Sequence, residues 1–243
     1  MNTKIFRSKS NLYGGLLVFV FLMMVTVILA SESTYFFGNN EDGARYGGLV
    51  YSFFQCGFII YAIFLLKKLI YSNRLIKVLY ILAVLATILS IYVSNPFVKI
   101  LEGQAQTNVF IFFHVTLLIC ELLFMRVILK NIFGIKETRS DHIWGAIVVY
   151  FLLIMTFSEV YEIITLLDPG LLGGIYVIGF PNYVQCIMFS INSITGVEAI
   201  YPQAATLLTK IGNLENLVGS LFLVVILGRL LSYPIDQIRG RSS

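Results

Sequence analysis

Glu121, Glu159, Glu162 and Glu215 stand within, or at the edge of, long apolar runs, and His114 lies in a run of the same kind. A carboxylate or imidazole at membrane depth can hold a proton, pair with an opposite charge or face a water-filled path, and such a residue is a functional-site hypothesis by default. Glu159 and Glu162 are three residues apart and so share one helix face. They either line an outer vestibule or brace a neighbouring helix, and bracing is the simpler reading. Glu121 has Arg126 five residues on, a spacing that does not set the two squarely on one face; pairing with Arg126 or with a neighbouring helix competes with a functional role. Glu215 has Lys210 five residues before it as a candidate partner. A further acid, Glu198, sits in a polar turn from Thr195 to Pro202.

Other chemistries find little support. His114 has no second His or Cys at ligand spacing, so it reads as a helix-packing histidine, and neither a metal site nor a cofactor is expected. The chain has no HExxH, no GxSxG and no phosphate-binding loop, and neither His114 nor His142 has a matched Ser or Cys. No catalytic residue is assigned and an enzyme is not expected. Cys56, Cys120 and Cys186 fall in apolar runs, where they read as small buried hydrophobes rather than as a disulfide or metal framework.

The elements that must carry these residues are membrane helices. Of 243 residues, 58% are hydrophobic and 12% charged, with a mean hydropathy of +0.87, where a soluble domain is about 25% charged. Crossing a bilayer takes about 20 apolar residues. Six runs approach that length: Leu12 to Ala30, Gly48 to Leu66, Leu75 to Val93, Val109 to Leu129, Ile143 to Leu167 and Leu214 to Leu231. The first is too long for a cleaved signal core and is followed by more spans.

Lysine and arginine test this count, because they collect in cytoplasmic loops. Lys4, Arg7 and Lys9 precede the first run, and Lys67, Lys68, Arg74 and Lys77 link the second to the third. Arg126, Lys130, Lys136 and Arg139 mark the fourth-to-fifth link, and Arg229, Arg239 and Arg241 the tail. Only Arg45, Lys99 and Lys210 of the 17 fall on the opposite side. The expectation is an all-α, polytopic membrane protein with six spans and both termini cytoplasmic. Its net charge of +4 is absorbed by topology, so lipid is expected as a partner and nucleic acid is not. Residues 1–141 form a four-span bundle. Its fourth span has only Arg126 and Lys130, at one end, where an arginine ladder would be needed to sense voltage.

Residues 142–243 form a two-span unit whose intervening stretch has a different plan. Val184 to Ile194 is apolar but too short to cross; the polar turn follows, then the long last run. A short helix, a turn of exposed backbone and a long helix make a pore loop, here 183–202, and non-helical backbone at membrane depth is tolerated where it lines a cavity.

Two segments resemble the pore domain of the bacterial two-span potassium-channel family, over roughly Ile143 to Tyr233. Phe189-Ser-Ile-Asn-Ser-Ile-Thr-Gly-Val-Glu-Ala-Ile-Tyr-Pro202 aligns without a gap to F-S-x-x-T-T-V-G-Y-G-D-I-x-P. Leu214-Glu215-Asn216-Leu217-Val218-Gly219-Ser220-Leu221-Phe222-Leu223 is similar to the family's inner helix, L-E-x-x-x-G-x-x-x-x. The resemblance implies a tetramer of the bacterial inner membrane with a filter at Ser193, Ile194, Thr195, Gly196, Val197 and Glu198, and with Glu215 bracing the region behind it. The departures are specific: Val197 replaces the filter tyrosine, Glu198 the second glycine and Ala199 the aspartate. Filter glycines adopt backbone conformations that a Cβ disfavours, so potassium selectivity is not expected. A ring of four Glu198 carboxylates would favour cations; the alternative is a solvated outer-loop acid. Gly219 and Gly228, nine residues apart in the last run, serve either close helix packing or a gating hinge.

Two functions follow as expectations. One is a homotetrameric, cation-permeable channel, neither potassium-selective nor voltage-gated. The other is a non-conducting tetrameric sensor or scaffold that recruits a cytoplasmic effector. In architecture alone, with no motif carrying it, this second form resembles the membrane subunit of the Kiwa anti-phage system. Its partner would meet the Lys67 to Lys77 link, the Lys130 to Asp141 link or the Ile235 to Ser243 tail.

Overall fold

Prolines and polar links divide the chain into helices. Among the described residues, Pro169 follows one helix end and Pro181 lies in the first turn of the next helix, the positions that tolerate a missing N–H and a fixed φ. A computed structural model describes residues 3–31, 41–69, 73–93, 103–134, 140–173, 178–197 and 204–231. Among these it is all-helical: α1 (Thr3–Ser31), α2 (Glu41–Leu69), α3 (Asn73–Val93), α4 (Gln104–Gly134), α5 (Ser140–Leu167), α6 (Phe180–Thr195) and α7 (Thr206–Leu231). The all-α expectation holds. Gln104–Gly134, Ile143–Leu167 and Thr206–Gly228 are long and apolar enough to cross a membrane.

Several helices extend beyond the apolar runs, α1 by nine residues and α2 by seven at their starts, and two further boundaries bear on the site. α6 begins at Phe180, four residues before the apolar run, because Pro181 occupies its first turn and supplies a helical φ. α7 begins at Thr206, eight residues before Leu214. Its first turns are amphipathic: Leu208 is fully buried beside Tyr161 and Leu172, while Lys210 is exposed.

One continuous apolar core runs through α1 to α6. α5 is its axis, touching α1, α4, α6 and α7, with Val148, Val149 and Leu152 wholly enclosed. α1 and α2 interlock through small residues, Gly15 lying against the Tyr61 ring and Gly57 against Phe19. The Phe19 and Tyr61 rings themselves meet at 5.6 Å. α6 lies in the middle, against α1, α2, α5 and α7. The segments flanking it also meet, since the Ala205 N–H donates to the Leu171 carbonyl at 2.7 Å. The end of α5 and the start of α7 are therefore side by side.

Candidate functional site: a buried carboxylate network around the short helix

At 16 residues, α6 is about 24 Å long. Its C-terminus is fixed by local chemistry. Gly196 adopts the left-handed conformation (φ 68°, ψ 17°). Its N–H donates to the Ser193 carbonyl and the Val197 N–H to the Asn192 carbonyl, both at 3.2 Å. That 5→2 and 6→1 pair is a Schellman stop, which favours glycine at this position. A Cβ here would also lie 3.1 Å from Asn216 Nδ2. Gly196→Ala is expected to cost roughly 1–2 kcal/mol, the penalty of a left-handed residue with a Cβ. Denaturant titration of the purified chain in micelles would measure it, with Gly103→Ala as a control at an open position that also has positive φ.

The first buried group joins three helices. α5 presents Glu159 and Glu162 on one face, both 0% exposed. From α4, His114 Nδ1 lies 2.5 Å from Glu159 Oε2, and its Nε2 lies 4.0 Å from Glu162 Oε1. From α6, the Tyr183 hydroxyl donates to Glu159 Oε1 at 2.5 Å. Asn182 Nδ2 donates to Glu162 Oε2 at 2.6 Å and to Thr165 Oγ1 at 2.8 Å. The Cys186 thiol reaches Glu162 Oε2 at 3.3 Å. Phe113 and Phe110 enclose the imidazole on its own helix. A buried carboxylate persists when paired and hydrogen-bonded; both oxygens of Glu159 are so occupied, while Oε1 of Glu162 has no hydrogen-bond partner.

The second group lies further along α6. Glu215 of α7, 0% exposed, accepts from the Tyr161 hydroxyl at 2.7 Å and from the Ser190 hydroxyl in a very short bond. Ser190 also approaches the Ile154 carbonyl at 2.9 Å, and the Tyr161 ring stands edge-on to Phe189 at 4.8 Å. Glu215 thus ties α7 to α5 and α6, and its partners are hydroxyls; exposed Lys210 is not among them. The Glu121–Arg126 pairing likewise does not form. Glu121 is buried with Oε2 unpartnered, while Arg126, facing another side of α4, is exposed.

The residues expected to form a filter divide. Ser193 and Ile194 point at α7, so that a Cβ on Gly212 would lie 2.8 Å from Ser193 Oγ and one on Gly219 only 2.4 Å from Ile194 Cγ1. Gly219 is where α7 closes on α6, whereas Gly228 faces open space. Thr195, whose hydroxyl bonds back to the Ile191 carbonyl, Gly196 and Val197 form the exposed end of α6. Glu198 lies outside the described residues. Among the described residues no cluster of three His, Cys, Asp or Glu has a geometry to hold a metal ion, and the cysteines are free.

No protein-family model, curated protein or solved structure matches this chain. Its function is therefore argued from its own residues. The sequence singled out His114, Glu159, Glu162 and Glu215 but as separate features. Asn182, Tyr183, Ser190 and Tyr161 were missed because single hydroxyls and amides carry no spacing signal. The one available sign was a polar residue every fourth position on α6, at Asn182, Cys186 and Ser190, a stripe of helical period.

Proposed function

We propose that this chain is one subunit of a tetrameric, cation-permeable channel of the bacterial inner membrane. It crosses six times with both termini cytoplasmic, and α6 enters and leaves on one side as the pore helix. The observation that carries this reading is the contact of Ala205 with Leu171, which sets both flanks of α6 at one end of the molecule. A 16-residue helix between two long ones, returning to the side it left, is the plan of a pore loop. The Glu215–Ser190 bond supports the likeness to the two-span potassium-channel pore domain, because it ties the inner helix to the pore helix behind the turn.

α7 supports the assembly. Its membrane-length window is only 22% buried, against 61% for the corresponding window of α5. Leu217, Leu221 and Val224 on it are exposed and remain to meet other copies or lipid. Glu198, two residues beyond Gly196, would then stand at the mouth of the assembly, where four carboxylates attract cations.

The non-conducting sensor or scaffold draws on one observation. Gly196 is already accounted for as a helix stop, a structural task independent of ions. Single-channel recording in planar bilayers separates the two, comparing wild type with Glu198→Gln in asymmetric sodium and potassium salts. Discrete cation currents that Glu198→Gln reduces or reselects are expected. Silence from a preparation shown to be tetrameric would transfer the assignment to the scaffold.

A further inference from the structure

We propose that the space between Glu162 and His114 is a proton-binding site, and that the bound proton draws α4 and α5 together around the start of α6. The inference concerns the interior of one subunit and stands whether or not the chain conducts.

Hydrogen-bond accounting locates the proton. Glu159 has both oxygens occupied, Oε1 by the Tyr183 hydroxyl and Oε2 by His114 Nδ1. Donation to Glu159 fixes the proton of the neutral imidazole on Nδ1 and leaves Nε2 as an acceptor. Glu162 Oε2 receives Asn182 and Cys186. Glu162 Oε1 alone has no hydrogen-bond partner, although its residue is 0% exposed. It faces His114 Nε2 at 4.0 Å.

Without a further proton, two lone-pair acceptors confront each other across that gap, and two ionised carboxylates share an enclosed space. One proton resolves both problems. Carried by Glu162 Oε1 it is donated to Nε2; carried by Nε2 it makes an imidazolium flanked by two carboxylates. The two forms have the same net charge, one unit less negative than the empty site. Among the described residues no other group takes its place. Facing the cluster are Glu121 and His114 from α4, Glu159 and Glu162 from α5, and Tyr183 and Cys186 from α6, all acids or neutral donors apart from the imidazole. Among the described residues no Lys or Arg pairs with either carboxylate.

The geometry also gives the consequence. A direct hydrogen bond spans about 2.7–3.2 Å, so closing the gap moves α4 and α5 together by roughly 1 Å. Asn182, Tyr183 and Cys186 at the start of α6 bond to the same two carboxylates, so that segment tightens with the gap.

The test uses the full-length chain in lipid nanodiscs, with His142→Asn so that His114 is the only histidine reporting. The 15N resonances of its ring and the infrared carbonyl band of protonated carboxyl groups are followed across pH. The expected result is a shift of the Nε2 resonance and loss of part of the carboxyl band with one shared midpoint, accompanied by faster amide exchange over 180–186. Glu162→Gln should abolish the Nε2 shift, and Glu215→Gln should leave it. The proposal is overturned if Nε2 stays unprotonated and unshifted over the whole range in which the chain is folded. It is equally overturned if the shift survives in Glu162→Gln. Should Glu162→Gln fail to fold, the wild-type Nε2 titration decides alone.

Discussion

Glu159→Ala should lower the stability of the purified chain by about 3–5 kcal/mol, the cost of removing one partner from a buried pair. The side chain holds both the imidazole of His114 and the hydroxyl of Tyr183, and all three are enclosed. Truncation removes the acceptor that the imidazole and the hydroxyl share, and a buried donor that loses its acceptor costs about 1–3 kcal/mol. The loss is concentrated at one place, because Glu159 hydrogen-bonds α5 to both α4 and α6. Glu159→Gln keeps the volume and an acceptor for one of the two donors, so about half the loss is expected. The folded fraction across a denaturant series in mixed micelles would measure both. A cost below about 1 kcal/mol for the alanine variant would mean that the three helices are held by apolar packing alone.

Gly219→Val is expected to separate α6 from α7. A Cβ at this position would lie 2.4 Å from Ile194 Cγ1 and 3.0 Å from its Cδ1, and Ile194 is buried and cannot swing aside. Overpacking of this kind costs about 1–3 kcal/mol, and Ile194→Ala alone costs about 2–5 kcal/mol by leaving a cavity. The two changes are complementary in volume. Combined, Gly219→Val with Ile194→Ala should be less destabilising than their sum by about 0.5–3 kcal/mol, the coupling found for residues in contact. A double-mutant cycle on unfolding would show it. Strict additivity would place the two residues out of contact and return Gly219 to a hinge role.

The helices were legible from the sequence because their signals are long and local. The apolar runs, the positions of Pro169 and Pro181 and the polar links place every described helix, but the helices overrun the apolar runs where polar residues continue them, by nine residues at the start of α1, seven at the start of α2 and eight at the start of α7. The first turns of α7 alternate Thr206, Lys210 and Asn213 with Leu207, Leu208 and Ile211, and an average over the segment conceals a helix with one buried face. The network was legible only in part. Acids in apolar runs are conspicuous, so Glu159, Glu162 and Glu215 were marked; in the structure Glu159 and Glu162 contact α6, and Glu215 contacts α5 and α6. Their partners were not readable, because which helix faces His114 is decided by packing between segments 45 residues apart. The same limit explains Arg126 and Lys210. Each is near an acid in sequence, yet helix periodicity turns Arg126 outward, and Glu215 is turned toward Tyr161 and Ser190.

Entry and exit of α6 on one side of the membrane is the claim on which the channel reading rests, and site-directed thiol labelling tests it most directly. Asp168→Cys and Thr206→Cys, at exposed positions flanking α6, would be made in a Cys56→Ser background. Cys120 and Cys186, both buried, are left in place. A membrane-impermeant maleimide applied to intact cells is predicted to modify both engineered cysteines, placing both flanks of α6 outside. Modification of Asp168→Cys alone, with Thr206→Cys reacting only after the cells are opened, would mean that α6 crosses the bilayer and that the chain has no pore loop.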